Sequence, residues 1–381
     1  CLVFSKHSDM KYSLLALCLL TLIPGHLMSQ NLNLDKHSVR VARTALPQEP
    51  LTGQNAVDSL APRTYQIALD WGYDFTSTVY YQQPSRESSL LSQVRLEGWR
   101  EFKDYPAHLN ITVRFTDFKI ISNQIQTRQQ VVKNKDGSSK TYNYYWIEYR
   151  YRFESQYSAQ NQAGDIVSSN RNLVSERMGK YNSQEFNTQT EAYRWQRMND
   201  ENVRERLLRE NVDNSILQLN SEINRRWGYL RTRDELTVMG SDSKKWEGQV
   251  EFDGHVRAIV SFMESWPYTE INPNQLNETQ KHILYFDSLI QSNDGDDKFS
   301  RKLRYACLWN NATICLAAER WSECETYASA MGETGFDMRE GVYFTKRIAD
   351  RKEDLQKNPP YESFHFSIDP RAIRPPSDPR Q

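Results

Sequence analysis

The sequence predicts an α+β protein in which an N-terminal antiparallel β-sheet domain, residues 64–180, is followed by an all-helical domain, residues 188–357. Two changes of period carry the prediction: apolar and polar residues alternate before residue 180, and apolar residues recur every three or four positions after residue 188. Glycine turns between the candidate strands, Asp136-Gly137 and Ala163-Gly164-Asp165, favour hairpins and hence antiparallel neighbours.

Residues 1–9 precede Met10 and are expected to be translated sequence upstream of the true start. Met10 to Ser29 has the make-up of a secretory signal peptide. Lys11 precedes an apolar run from Leu14 to Ile23, Pro24 and Gly25 break it, and small Ser29 stands before a polar chain. The run is too short to cross a bilayer, which takes ~20 apolar residues. Cys18 is not read as a lipidation site, because Leu17 occupies the position where a lipobox needs a small residue. The expected mature chain is exported, periplasmic or outer-membrane associated in a Gram-negative-type envelope, with no transmembrane segment.

Residues 30–63 show little periodicity and contain Pro47, Pro50, Gly53 and Pro62, so an extended lead is expected there. In the β domain the clearest strand is Tyr145, Ile147, Tyr149, Tyr151 and Phe153, interleaved with Trp146, Glu148, Arg150, Arg152 and Glu154. Successive side chains of a strand face opposite ways, which predicts odd positions buried and even positions exposed. Ile111, Val113 and Phe115 alternate similarly, and Tyr65, Ile67 and Leu69 form a further candidate strand. A sheet with one charged face is antiparallel with one solvated side, which argues against a doubly wound nucleotide-binding fold. The glycine-rich loops of such a fold are also missing.

From about Thr188, Val203, Leu207, Val212, Ile216, Leu219, Ile223 and Trp227 trace one amphipathic helix, with Gly228 placed to end it in the left-handed conformation. Further helices are predicted over Val250 to Met263, Leu276 to Ile290, Lys302 to Ala318, Ser322 to Met331 and Gly341 to Lys357. Residues 358–381 are proline-rich and cannot continue a helix. They read as a tail that lies over the surface through Phe364, Phe366 and Ile368.

The segment LWNNATICLAAERWSECETYASAM, Leu308 to Met331, resembles one tetratricopeptide helix pair. Ala312 matches the small residue where the two helices touch, Trp321 the aromatic that opens the second helix, and Cys324 and Ala328 its contact positions. Cys315 stands where the family has an aromatic, Glu319 replaces the turn glycine, and no proline follows the pair. No second copy appears at the ~34-residue period of an array. The resemblance implies that the pair holds a peptide or partner, with no catalytic role.

Three cysteines follow the signal segment, Cys307, Cys315 and Cys324. Two readings stand: a disulfide between Cys315 and Cys324, which export would permit, or three small buried hydrophobes. No CxxC or HxxxH spacing supplies zinc ligands. His37, His108, His255, His282 and His365 are scattered, and neither GxSxG nor HExxH occurs. The acidic run Asn293 to Asp297 has its glycine misplaced for a calcium loop and reads as a polar turn. No catalytic, metal or cofactor residue is therefore assigned.

The formal net charge of −1 gives no global field for nucleic acid. Local pairs such as Arg225 and Arg226, or Arg231 and Arg233, read as a solvated face. The surface with binding potential is aromatic: Trp146 on the charged face of its strand, with Trp71, Trp99, Tyr80 and Tyr81 in neighbouring segments. The expected role is a non-enzymatic exported adaptor or scaffold that binds another envelope protein. The alternative is a glycan-binding or glycan-cleaving protein that uses the aromatic face.

Overall fold

A computed structural model describes residues 32–51, 63–72, 84–103, 106–242, 246–336, 339–359 and 361–373. The expected signal segment, residues 10–29, and the candidate residues Tyr80 and Tyr81 lie outside them. Both strands and helices are present, as an α+β protein requires, but strands are not confined to the middle of the chain. The expected lead contains strand β1, Leu34–Ala45, which pairs into a two-stranded sheet with a strand inside the expected helical domain, Leu230–Ser241. The chain divides into two units. One takes residues up to Val41 with Arg233–Trp266 and Ile271–Ala349, and the other takes Ala42–Thr232, Pro267–Glu270 and Asp350 onward.

The second of these units holds a five-stranded sheet. Its elements are β2 (Thr64–Trp71), α1 (Pro84–Leu91), β3 (Arg100–Glu101), β4 (Leu109–Lys133), β5 (Ser139–Asn161) and β6 (Ile166–Asn182), with sheet order β3-β2-β4-β5-β6. The sheet is mixed, which corrects the all-antiparallel expectation. β4, β5 and β6 pair antiparallel through the two predicted turns, whereas β2 runs parallel to both β3 and β4. A crossover through α1 separates β2 from its neighbours, and parallel pairing needs such a connection. Gly137 and Gly164 take φ of +83° and +89° in the turns, the left-handed conformation that glycine adopts without a Cβ clash.

Helix α2 (Gln189–Trp227) opens with a capping box, in which the Thr188 hydroxyl accepts from Glu191 N while the Glu191 carboxylate accepts from Thr188 N. Its stripe of Val203, Leu207, Val212, Ile216, Leu219, Ile223 and Trp227 joins Ile111, Val113, Phe115, Tyr149, Phe153 and Tyr157 of the sheet in one core. The other sheet face carries ion pairs, Arg114 with Asp70 and Arg152 with Asp117. On β5, Ile147, Tyr149 and Phe153 are buried and Arg150 and Arg152 are exposed, as the alternation predicts. Glu148 departs from it. It is buried because Arg150 and Lys180 fold over its carboxylate at 2.8 and 2.6 Å, and these contacts hold it below the usual carboxylate range.

Two further expectations change at the end of α2. Gly228 is extended, at φ −81°, because the chain runs straight on into the next strand. What selects glycine there is space, since a Cβ would lie 2.6 Å from Asn224 Oδ1. Arg226 is not part of a solvated face: it is 2 % exposed, pairs with Glu49, and donates to Tyr157 Oη and Ser168 Oγ at 2.8 Å each. A buried cation persists only when its donors are occupied in this way. The C-terminal segment covers apolar surface as expected, with Phe364 buried and Phe366 stacked on Tyr361.

The other unit contains most of β7 (Leu230–Ser241) and α3 (Gln249–Glu264), α4 (Pro273–Ser292), α5 (Lys298–Ala317), α6 (Trp321–Glu333) and the first part of α7 (Glu340–Lys357). The Asn293 to Asp297 run is the predicted turn, and Asp297 caps α5 by accepting from Phe299 N and Ser300 N. Helix α5 is buried almost all round, which makes it the central element of this core. It also satisfies the edge of β7. Asn310 accepts from Met239 N and donates to Met239 O at 2.7 and 2.9 Å, while Trp309 and Thr313 donate to Thr237 O.

Helices α5 and α6 form the pair over Leu308 to Met331. Ala312, Cys324 and Ala328 are buried between them, and Trp321 is half-buried against the core. Glu319 takes φ +59° in the turn, the conformation for which glycine is the ordinary residue. All three cysteines are buried and none is in a disulfide, against the reading that joins Cys315 to Cys324. The Cys324 thiol points to Ala312 O at 3.2 Å, and burial pushes the Cys315 thiol up to about 12.

Candidate functional site

The feature that stands out is the outer half of the β4–β5 hairpin. β2 pairs with β4 only from Leu109 to Phe115, and β6 pairs with β5 only from Glu148 to Gln160. Past those limits β4 and β5 pair with each other, apart from a single bridge between Tyr145 and Phe186. Register shifts between Phe115 and Asp117 and between Ile120 and Ser122 fall where β4 leaves the sheet. Such bulges bend a strand and increase its twist. The ribbon then runs on, Arg128 opposite Tyr144 and Lys133 opposite Ser139, for about 20 Å at ~3.4 Å per residue.

Cross-strand pairing sorts its side chains into two faces. Gln126, Arg128, Gln130 and Val132 share one face with Trp146, Tyr144, Tyr142 and Lys140, and the opposite face has Thr127, Gln129, Val131 and Thr141. Val131 is 61 % exposed and Val132 39 %. Adjacent valines point to opposite faces, so both sides of the ribbon present apolar surface near its tip. Lys133, Lys135 and Lys140 stand against the single carboxylate of Asp136, which makes the tip cationic. Two cations of the ribbon lie over ring faces, Arg128 over Tyr144 at 5.1 Å and Lys140 over Tyr142 at 5.0 Å. Arg128 also makes a bidentate pair with Glu185 at 2.9 and 2.8 Å, which fixes the base of the ribbon.

Among the described residues, the sequence-predicted aromatics do not gather on one open surface. Trp146 lies on the ribbon face, half-buried, and its indole N–H has no acceptor among the described residues. Trp71 stacks on Phe115 at 4.6 Å and belongs to the sheet core. Trp99 is 7 % exposed and donates to Trp227 O at 2.7 Å, and it is one of the residues that line a cavity of about 410 Å³.

The fold unites two histidines that are distant in sequence. His255 on α3 and His282 on α4 approach at 2.9 Å between their Nδ1 atoms, with Tyr285 stacked on His255 at 3.7 Å. Burial lowers the proton affinity of both. Each imidazole follows a glutamate by one helical turn, Glu251 and Glu278, a spacing visible in the sequence once the two helices are known to be neighbours. Among the described residues no group of three or more His, Cys, Asp or Glu is arranged to hold a metal ion. No helix among them is long and apolar enough to cross a membrane. Comparison with protein-family models, curated proteins and solved structures finds no match.

Proposed function

We propose that this chain is a non-enzymatic, exported cell-envelope adaptor that binds another envelope protein, and that the outer β4–β5 ribbon is its contact surface. The observation that carries the reading is the exposure of Val131, Val132 and Tyr142 on a ribbon whose edges, beyond the Tyr145–Phe186 bridge, meet no further strand among the described residues. An isolated two-stranded ribbon is marginal in water. Its exposed edges are templates for a further strand, and its side chains supply apolar and aromatic anchors. The α5–α6 pair supports a scaffold role. Ala312, Cys324 and Ala328, the positions that carry the tetratricopeptide resemblance, are buried, and Glu319 takes the left-handed turn conformation, which supports this reading.

Site-specific photocrosslinking in envelopes tests this reading. A photoreactive residue at Tyr142 should give one protein adduct that the same residue at Gln156, on the sheet proper, does not. Equal labelling at the two positions, or none at either, would refute it. A second reading is favoured by the row of Trp146, Tyr144 and Tyr142, which recurs at every other residue and so at about 7 Å along one face. Aromatics so spaced present their rings to sugars. Retention on isolated cell-wall glycan that Tyr144→Ala and Trp146→Ala abolish, without a protein adduct, would select that alternative.

A further inference from the structure

We propose that the cavity beside Trp99 binds a small amphiphilic anion, with its apolar part against the ring of Trp99 and its charged head on the guanidinium groups at the rim. The cavity is of ligand size, about 410 Å³. Tyr65, Val94 and Trp99, all buried residues, contribute to its lining together with Leu91. The hydrogen bond from its indole to Trp227 O holds Trp99 in place beside the cavity.

Charge around the cavity is one-sided. Arg95, Arg100 and Arg371 line it with a single carboxylate, Glu101, which Lys103 engages at 2.9 Å. Arg100 donates from Nη1 to Ile373 O at 3.0 Å, and that contact places its guanidinium. Arg95 has only a loose, exposed pairing with Glu97 at 3.5 Å. Arg371 sits in the short turn Pro370–Ala372, which Asp369 caps by accepting from Arg371 N at 2.9 Å. Its side chain makes no ion pair among the described residues. Guanidinium groups recognise carboxylate, phosphate and sulfonate by paired N–H donors, and three of them beside an aromatic wall select a ligand that joins such a head to an apolar body. This site is separate from the ribbon and stands or falls without it.

The test is a fluorescence titration of the full chain with anilinonaphthalenesulfonate, in parallel with its uncharged relative phenylnaphthylamine. The anion should bind at one saturable site, roughly tenfold tighter than the neutral probe, and lose that advantage in Arg95→Glu/Arg371→Glu. Both positions are exposed, and an unchanged thermal melt checks the fold of the variant. Displacement by phenyl phosphate or by phenylacetate then distinguishes a phosphate from a carboxylate ligand. Equal affinities for the two probes on the unaltered chain would overturn the proposal. So would anion binding that the double variant leaves unchanged.

Discussion

From Ile147 to Ala159, β5 has neighbours on both sides and α2 packed over one face, and its side chains alternate between the core and the outer face, where Arg150 and Lys180 cover Glu148. From Ser139 to Tyr145 the same strand has β4 beside it and little else, and every side chain is at least partly exposed. The contrast shows what enforces the period of two. Where one face is covered, a polar residue at an odd position needs a partner, as Ser155 finds in Ser215 Oγ at 2.7 Å, and the remaining odd positions are apolar or aromatic. Where neither face is covered that constraint lapses, and β4 carries Val131 and Val132 side by side.

The largest effect that sharpens this contrast is expected at adjacent residues of the covered half. Tyr149→Asp buries a charge under α2 and should cost about 4 kcal/mol or prevent folding, while Arg150→Gln, which leaves Lys180 on the Glu148 carboxylate, should cost about 1 kcal/mol. Equal costs in thermal melts would mean that both faces of the sheet are enclosed. The next effect concerns strand edges. The amide of Asn310 closes the edge of β7 at Met239, whereas the outer edges of the ribbon meet no strand among the described residues. Asn310→Ala leaves two buried backbone groups without partners and should cost about 3 kcal/mol in denaturant unfolding. A cost near zero would show that this edge is as solvated as the ribbon.

Acid should distinguish close-packed from bare surface as well. Burial depresses the pKa of both His255 and His282, so below the ordinary histidine value of ~6.5 the unfolded chain takes up protons that the folded chain resists. Stability is then fully present above that value and declines as pH falls from it towards the depressed folded values. The groups around the pair, Glu251, Glu278, Lys281 and Tyr285, set how far the decline extends. Melts of the chain and of His255→Gln/His282→Gln should diverge in this window. Superimposable pH profiles would remove the pair as the cause.

Much of the layout was legible in the sequence, because helices and hairpins are written in local period. The strand at Tyr145 to Phe153, the turns at Gly137 and Gly164, α2 and the five later helices all follow from patterns within one segment. β1 and β7 were missed since each gains its partner from the far side of the chain, and only Val39 and Val41, or Leu236 and Val238, mark a buried face. Parallel pairing of β2 is equally non-local. The candidate site was half legible: Trp146 was picked out, but Tyr142, Val131 and Val132 have meaning only once β4 and β5 are seen to outrun their neighbours. Arg226 looked like any surface arginine, and its burial depends on Glu49, Tyr157 and Ser168 from remote segments.

At the small end of the scale, Glu319→Gly should stabilise the chain by a few tenths of a kcal/mol, because glycine takes the left-handed conformation without strain. Tyr142→Ser on the ribbon should move the melt by less than about 0.5 kcal/mol, as for other exposed positions. A larger loss at Tyr142 would mean that the ribbon is packed against something.

The most direct measurement replaces the ribbon outright. Thr127 and Tyr145 are directly paired, so residues 128–144 can be exchanged for Asn-Gly, a two-residue hairpin turn. The shortened chain should melt within about 1 kcal/mol of the original, since the core of α2 and the sheet is untouched. It should also fail to recover from envelopes the protein that crosslinks at Tyr142 of the full chain. Recovery of that protein in equal yield by the shortened chain would contradict the ribbon as the contact surface.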